Sequence, residues 1–358
     1  MTAFYILAAV LMFGIMITVH EAGHFFAARL FKIPVREFSI GFGPQLLKWK
    51  RKKYDTLFFL RAIPLGGYCA FYGEDDVTGE SKSDPRAFGK HSVIKRLLTI
   101  LMGPVMNFLL AFLVAVMFYA ISGIPTPTGP TVTIVQSVNQ DSPAEAAGML
   151  PGDQLIAVNG HAVTDNLIPL IAQESGPDDE TLDFSVLRGE EGAQEEVILQ
   201  VKPLYDSAEK RYMIGVNALS STPAAWAPGS VVDVIKSSAV LCYSAGASII
   251  TALKNLVTRG QGINELSGIV GITQLIVEET RQSQLQGYLY LMAVISINLG
   301  LINLLIFPGL DGSRMLFLAV EAIRGKPIEK EGYVHAIGMI LLFGLMIWIT
   351  FRDIVRLF

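Results

Sequence analysis

The chain has 358 residues, of which 51% are hydrophobic and 17% are charged, and its mean hydropathy is +0.46. These values exceed those of an ordinary soluble domain and predict a membrane protein. The net charge of −4 is too small to indicate a nucleic-acid partner. The two cysteines, Cys69 and Cys242, are too few for a cysteine zinc site.

Four apolar segments are long enough to cross about 30 Å of hydrocarbon as helices. They cover residues 2–26, 97–121, 288–307 and 334–351. The first segment lacks the basic start and the small-residue cleavage site of a signal peptide, so we expect it to be retained. The sequence therefore predicts a multi-pass α-helical membrane protein with about four transmembrane helices.

The first apolar segment leads into His20-Glu21-Ala22-Gly23-His24. Residues four apart lie on one face of a helix, so His20 and His24 can bind the same metal ion, with Glu21 beside them. Two histidines and a general base in this pattern are typical of zinc hydrolases. The alternative is that these polar groups lie on an apolar helix without a role, which is energetically unfavourable in lipid.

The charges that follow are distributed asymmetrically. Eleven Lys and Arg residues lie between Lys48 and Arg96, whereas residues 123–229 are acidic and contain only four. Because loops rich in Lys and Arg stay in the cytoplasm, the first region is predicted to be cytoplasmic and the second to face the other side. Both termini are then extracytoplasmic.

Two segments in and before this basic region favour strands over helices. Residues 38–43 and 60–71 are β-prone and are interrupted by Gly and Pro. Non-helical backbone near a membrane must pair with itself or line a cavity, which predicts membrane-associated β-hairpins. A soluble cytoplasmic hairpin is the alternative on pattern alone.

The acidic region has the pattern of an inserted α+β domain. Residues 131–135 alternate like a strand, Ser142-Pro143-Ala144 opens a short helix, and Pro151-Gly152-Asp153 forms a turn before a strand at 154–158. Two further strands are predicted at residues 182–187 and 196–201. This order resembles a PDZ domain, which would bind a peptide carboxyl terminus by adding a strand to a sheet edge. A small α+β domain without a peptide ligand is the alternative.

Residues 231–259 are only partly apolar, with Lys236, Lys254 and several serines. We therefore expect an amphipathic, interfacial helix there instead of a fifth span. The predicted organisation has four parts: residues 1–122 with two spans and the β-loop, 123–205 with the PDZ-like domain, 206–287 with a linker and interfacial helices, and 288–358 with the last two spans.

A catalytic zinc needs a third protein ligand, and Asp311 is the candidate. Asp311 follows Pro308, which interrupts the third apolar segment, and carboxylates at membrane depth are usually paired, metal-bound or functional. The alternative role for Asp311 is to cap the next helix. Asn303, eight residues earlier, could donate to an oxyanion or make a helix–helix hydrogen bond. His335 is expected to be interfacial and not a ligand.

Taken together, these motifs resemble the bacterial site-2 proteases, in particular the RseP-type zinc metalloproteases that cut within the membrane. The resemblance covers nearly the whole chain, including the place of a single PDZ-like insert. The motifs that carry it are His20-Glu21-Ala22-Gly23-His24-Phe25, Gly41-Phe42-Gly43, Leu101-Met102-Gly103-Pro104-Val105-Met106-Asn107, Leu266-Ser267-Gly268, Asn303-Leu304-Leu305 and Leu310-Asp311-Gly312.

The resemblance implies that Zn2+ is bound by His20, His24 and Asp311, that Glu21 is the general base, and that Asn303 assists with the substrate or the transition state. It also implies that the β-loop presents the substrate in extended form. The candidate substrate-binding residues in this loop are Gly41, Gly43, Gly66, Gly67 and Tyr68.

The chain departs from the family pattern at three positions near these motifs. Ile269 and Ile306 stand where the family commonly has Pro, and Ser313 stands where it commonly has Gly. None of these residues is an expected ligand. The departures therefore bear on substrate choice and on the geometry around Asn303, not on zinc chemistry.

The implied function is cleavage of transmembrane segments in the bacterial inner (plasma) membrane, after a first extracytoplasmic cut by another protease. The implied partners are the lipid bilayer and a membrane protein substrate, such as an anti-sigma factor or a signal-peptide remnant. Two other classes stay open: a PDZ adaptor with a structural metal site, and a zinc-dependent enzyme or transporter of different chemistry. The intact Glu21 argues against the first, and the PDZ-like insert argues against the second.

Overall fold

The structure is a computed structural model in two compact units. It describes residues 2–50, 55–73, 84–163, 167–175, 181–189, 194–207, 211–260, 262, 267–328 and 331–355. The helical unit comprises Met1–Gly123 and Pro228–Phe358, and the inserted unit comprises Ile124–Ala227. Leu266, part of one motif named above, lies outside the described residues.

Two long helices begin the helical unit. Helix α1 covers Thr2–Leu30 and helix α2 covers Val93–Ser122. α1 contains the whole His-Glu motif and continues four residues beyond the predicted end at residue 26. A Cβ added to Gly23 would overlap the backbone carbonyl of Met102, which shows that the two helix backbones approach closely at the level of the motif.

The β-prone segments form one small curved sheet instead of separate hairpins. Strands β1 (Val35–Lys50) and β2 (Leu57–Phe71) are both bent, so each contributes two pairing segments. From one edge of the sheet to the other, the segments are residues 67–70, 37–40, 57–60 and 47–50.

Glycines allow the strands to bend. Gly41 and Gly43 have φ angles of 86° and 81°, which side chains with a Cβ rarely adopt. Gly66 has a φ of 142°, and a Cβ there would overlap the ring of Phe42. These three predicted substrate-binding residues therefore shape the sheet, because each occupies a position that excludes a side chain.

The inserted unit is built around a five-strand path in the order β11-β4-β5-β7-β8, and its buried core lies on this sheet. The strands of the unit are β3 (Ile124–Pro127), β4 (Val132–Val138), β5 (Gln154–Val158), β6 (His161–Ala162), β7 (Leu182–Arg188), β8 (Glu195–Val201), β9 (Leu204–Asp206), β10 (Arg211–Met213), β11 (Val216–Ser221) and β12 (Ala224–Ala227), and its helices are α3 (Pro143–Ala146) and α4 (Leu167–Glu174). The predicted domain end at residue 205 lies inside this unit, since β11 pairs with β4.

A buried carboxylate fixes the predicted turn at Asp153. Asp153 is 1% exposed and accepts hydrogen bonds from the Arg188 guanidinium at 2.7 and 2.8 Å and from the Leu150 amide at 2.9 Å. Burial alone would raise the pKa of Asp153, but the Arg188 and Leu150 donors outweigh it and hold this pKa below its ordinary value. The turn therefore depends on the ionised form of Asp153.

The chain then returns to the helical unit with helix α5 (Val231–Arg259) and helix α6 (Ile269–Asn303). α5 is one continuous helix because Ser230 and Asp233 form a capping box and Gly260 ends it in a left-handed conformation. The 17 residues between Lys236 and Lys254 are uncharged. By length and composition, the described residues thus contain five helices that could cross a membrane, against the prediction of about four.

Helix α6 is kinked, and it ends earlier than predicted. Gln284, with φ 49° and ψ −131°, separates an amino-terminal part, residues 269–283, from a second part, residues 285–303. The predicted span continued to residue 307, but Pro308 has no N–H and disfavours a helical residue before it. The chain therefore leaves the helix after Asn303 and forms a turn before helix α7 (Asp311–Arg324).

Helix α7 is held against α2 by a buried ion pair. The guanidinium of Arg96 donates to both carboxylate oxygens of Glu321, at 3.0 and 2.5 Å, and both side chains are at most 12% exposed. Helix α8 (Glu331–Val355) follows. At its far end, the carboxylate of Asp353 accepts the amides of Gly268 and Gly271 at 2.8 and 2.9 Å and so caps α6.

Candidate active site

His20, His24 and Asp311 converge on one point, although Asp311 is distant in sequence. The Nε2 atoms of the two histidines lie 3.2 Å apart. Oδ2 of Asp311 lies 3.1 Å from Nε2 of His20 and 3.4 Å from Nε2 of His24. Asp311 is the first residue of α7 and Leu310 is its N-cap, so the capping alternative for Asp311 is wrong.

The three atoms fit a tetrahedral zinc ion. Two atoms that each bind zinc at about 2.0–2.1 Å lie about 3.3 Å apart, and the three separations of 3.1–3.4 Å match this value. Oδ2 of Asp311 is buried and has no hydrogen-bond partner among the described residues. Two nitrogen lone pairs and an unpartnered carboxylate oxygen facing each other favour a shared cation.

Helix α2 orients both imidazoles from behind. Nδ1 of His24 donates to the carbonyl oxygen of Thr99 at 3.0 Å, which leaves Nε2 free to bind metal. The carboxamide of Asn107 lies 3.0 Å from Nδ1 of His20, and its Oδ1 has no hydrogen-bond partner among the described residues. If the Asn107 amide is rotated by 180°, its Oδ1 accepts the Nδ1–H of His20, and both atoms then have a hydrogen-bond partner. We assign this orientation to the amide.

The imidazoles fit only because residue 103 is glycine. A Cβ on Gly103 would overlap Cε1 and Nε2 of His24 and would lie 2.9 Å from Cε1 of His20. No rotation of the substituted residue relieves this overlap, because a Cβ is fixed by the backbone. The placement of His20 and His24 therefore depends on α2 both for the space at Gly103 and for the hydrogen bonds to the two rings.

Glu21 lines the same cavity of about 500 Å³ as the three candidate ligands. β2 passes beside it: Glu21 interacts with the backbone of Cys69, and a Cβ on Gly67 would lie 3.4 Å from Cγ of Glu21. The space between the α1 face and the sheet edge is therefore narrow at this point.

The structure brings Asn303 and Tyr68 to this cavity as well. The hydroxyl of Tyr68 donates to Glu37 at 2.9 Å and accepts from Arg61 at 2.9 Å, so its position is fixed. Gly41, Gly43 and Gly66 are not among the cavity-lining residues that the structure describes. Of the predicted substrate-binding residues, Tyr68 borders the cavity and Gly67 lies beside Glu21.

Sequence reasoning assigned no role at this centre to four residues, although two of them, Gly103 and Asn107, lie in the motif at residues 101–107 that carries the family resemblance. Thr99, Gly103 and Asn107 all lie on α2, and an asparagine inside an apolar span was an available signal for Asn107. His335 is buried, at 7% exposure, and Nδ1 of its ring accepts the amide of Gly309 at 3.2 Å. It is outside the group of candidate ligands that the described residues form, and its place at the membrane interface stays a prediction.

This fold and site define a class: a metal-dependent hydrolase with a His-Glu-x-x-His helix among apolar helices. The model of Peptidase family M50 matches residues 8–345, and the chain belongs to this family, the site-2 proteases. The predictions of the family, of a zinc metalloprotease and of Zn2+ as cofactor are thereby confirmed.

Curated relatives match along nearly the full length. The chain is 30% identical over 435 residues to the zinc metalloprotease RasP of Geobacillus kaustophilus, with 99% of this chain and 98% of the relative covered. It is 29% identical over 441 residues to the regulator of sigma-W protease RasP of Bacillus subtilis, with 99% of each chain covered. The similarity extends across both units of the structure.

Proposed function

We propose that this chain is an intramembrane endopeptidase that cuts transmembrane segments of other membrane proteins. His20, His24 and Asp311 hold the zinc and Glu21 is the general base. The observation that carries the proposal is the convergence of three ligand atoms, 3.1–3.4 Å apart, two of which lie on α1, a helix that is apolar enough to cross a membrane. A hydrolytic centre at that depth acts on peptide bonds that soluble proteases do not reach.

The chemistry follows from the donor set. Zinc bound at this site supplies an acidified water and polarises the scissile carbonyl. The Glu21 carboxylate accepts the proton of the attacking water and delivers it to the leaving amide nitrogen. The Thr99 carbonyl and the Asn107 carboxamide keep the histidine Nε2 lone pairs directed at the metal throughout.

The substrate must be unwound before it is cut, because a helical amide is already hydrogen-bonded. Residues 67–70 form an edge of the sheet in the described structure, and Tyr68, Cys69 and Ala70 line the cavity. The edge of a sheet can pair with an added extended strand through its backbone. We therefore assign substrate presentation to this edge, with helix instability deciding which segments are cut.

The test is to incubate the purified full-length chain with a model membrane substrate in detergent and to map the products by mass spectrometry. The expected cut lies inside the apolar segment, is stopped by a zinc chelator and speeds up when helix-breaking residues are placed there. Cleavage confined to the flanking loops would contradict the proposal.

Asn303 is proposed to stabilise the developing oxyanion. Replacing it with alanine should lower kcat by about 10²-fold with little change in zinc content, since a lost oxyanion donor acts on the transition state. Asn298→Ala is the matched control, because Asn298 lies on the same helix but is not among the residues that line the cavity in the described structure. Equal activity of the two variants would remove Asn303 from the mechanism.

The helix directions support a membrane topology. The hydroxyl of Tyr288 donates to the carbonyl of Ala8 at 3.2 Å, whereas Asn303 shares the cavity with His20, so α6 after its kink runs along α1 in the same direction. α2 runs oppositely, because its Thr99 lies by His24 and its Phe118 packs with Tyr290. The end of α2 and the start of the α6 crossing thus face the same side.

An even number of crossings must therefore connect Ser122 to Tyr288. Among the described residues of this stretch, the amino-terminal part of α6 (residues 269–283) is the other long helical segment besides α5. Its 15 residues span about 22 Å, too short for about 30 Å of hydrocarbon. We infer that α5 does not cross and that α1, α2, the second part of α6 and α8 are the four spans. With the basic loop cytoplasmic, the PDZ-like inserted unit and both termini are extracytoplasmic.

The inserted unit is proposed to restrict access to substrates already shortened by a first cut, either by size or by binding the new carboxyl terminus. Strands β3 and β12 pair with Pro127 opposite Ala224, so residues 128–223 can be replaced by a two-residue turn without disturbing this pair. The shortened chain should cut full-length substrates that the intact chain leaves uncut. Glu21→Gln in the shortened chain is the control, and unchanged selectivity would refute the proposal.

A further inference from the structure

Asp311 follows a turn whose own backbone hydrogen bonds are short-range, from the Phe307 amide to Leu305 at 2.8 Å and from the Leu310 amide to Phe307 at 3.0 Å. The turn covers residues 304–310 between α6 and α7 and contains Pro308 and Gly309. An aspartate ligand must be held within a few tenths of an ångström to match two histidines that are already fixed by α2. The position of the Asp311 carboxylate therefore depends on the contacts that hold the backbone of this turn.

Helix α8 holds it at two points. At Gly338 the helix lies directly on Pro308, because a Cβ at residue 338 would overlap the Pro308 carbonyl and ring. One helical turn earlier, Nδ1 of His335 accepts the Gly309 amide at 3.2 Å. The ring of His335 also packs on Phe317 of α7, with centroids 5.6 Å apart. His335 thus contacts the chain on both sides of Asp311.

The hydrogen bond to Gly309 fixes the tautomer of His335. Since Nδ1 is the acceptor, the ring proton is on Nε2, which is 3.6 Å from Oε1 of Glu331 one helical turn away. Nε2 is buried and has no hydrogen-bond partner in the described part of the chain. A buried histidine that uses one nitrogen on a backbone amide and directs the other at a carboxylate is an oriented group, not a space filler.

We propose that His335 is a positioning residue for the third zinc ligand: its Nδ1 holds the Gly309 amide and thereby sets the point from which Asp311 meets His20 and His24. The inference rests on the proposed role of Asp311 as a ligand. Loss of the acceptor frees the turn and leaves a buried amide unpaired, so the aspartate spends less time at the metal position.

The test measures zinc affinity of the purified full-length chain by competition with a chromophoric chelator, which does not depend on proteolysis. His335→Leu keeps a buried apolar side chain without an acceptor and should weaken zinc binding about 10-fold. His335→Asn places its amide oxygen where Nδ1 lies, so its affinity should stay within about threefold of wild type. His161→Leu, at an exposed histidine of the inserted unit, is the control for loss of a histidine elsewhere.

These variants distinguish an error in the ligand assignment of Asp311 from an error in the positioning role of His335. If Asp311→Ala binds zinc as wild type does, the ligand assignment fails; if Asp311→Ala loses zinc but His335→Leu does not, only the positioning role fails. Equal losses in His335→Asn and His335→Leu also overturn it, since packing and not the acceptor would then matter. If His335→Leu does not fold, His335→Gln replaces it, because its longer side chain carries the amide past the Nδ1 position and should behave like the leucine variant.

Discussion

Glu21→Gln should abolish proteolysis while the protein keeps its zinc. The amide has nearly the same shape as the carboxylate but cannot accept the proton of the attacking water, and a lost general base costs on the order of 10²–10⁴ in rate. The three candidate ligands are untouched, and the α2 contacts that orient the histidines do not involve residue 21. Turnover of a model substrate and zinc content per chain are measured on the same preparation.

Two comparisons make this result specific to Glu21. Glu278→Gln changes a carboxylate of the same type on the amino-terminal part of α6, where it accepts from Gln282, and should leave the rate unchanged. Asp311→Ala should lose both activity and zinc. Retained cleavage by Glu21→Gln would mean that another group takes the proton, and parallel loss of zinc would mean that residue 21 helps to build the site.

The α1 half of the centre could be predicted from spacing alone. A separation of four residues places His20 and His24 on one helix face, and this is a local property of the helix. Asp311 could be predicted because a carboxylate after a Pro-broken span has few other uses at membrane depth. What the pattern could not supply is the distance between them, which depends on where α6 ends and how the following turn is held.

The contribution of α2 was harder to predict for a physical reason. Thr99 acts through its backbone carbonyl, which carries no side-chain signal, and Gly103 acts by what it lacks. Asn107 offered a signal as a polar side chain inside an apolar helix, and both Gly103 and Asn107 lie in the motif at residues 101–107 that carries the family resemblance. The same limit applies to His335, whose partner is a backbone amide on another element.

The inserted unit shows a similar limit at its boundary. The strands with regular alternation, β4, β5, β7 and β8, were predicted close to their observed ends. β11 was not, although it pairs with β4 across a separation of about 80 residues. β11 is at the end of the sheet path and is covered on one side only. Its sequence, Val-Asn-Ala-Leu-Ser-Ser, accordingly has one exposed and weakly apolar face. Edge strands of this type carry little of the pattern that prediction uses.

Gly103→Ala should remove zinc from the protein, although alanine is only one methyl group larger. The added Cβ overlaps the His24 ring at the atoms next to the metal position and crowds the His20 ring, so at least one imidazole must rotate or α1 and α2 must separate. Gly23 packs on the Met102 backbone, which ties the two helices together at the same level. Overpacking of such a contact destabilises the fold by about 1–3 kcal/mol, and rotation of one histidine away from the metal position removes most of the zinc affinity.

The matched control is Gly344→Ala, a helical glycine of α8 at which an added Cβ meets nothing within 4 Å. Alanine favours helix over glycine, so this variant should be at least as stable as wild type and keep its zinc. The measurement is zinc per chain after equilibration with a chelator, together with the melting temperature in detergent. A Gly103→Ala protein with full zinc and wild-type cleavage would show that α1 and α2 can move apart at the site, and the close approach of α2 would then not be a requirement of the metal centre.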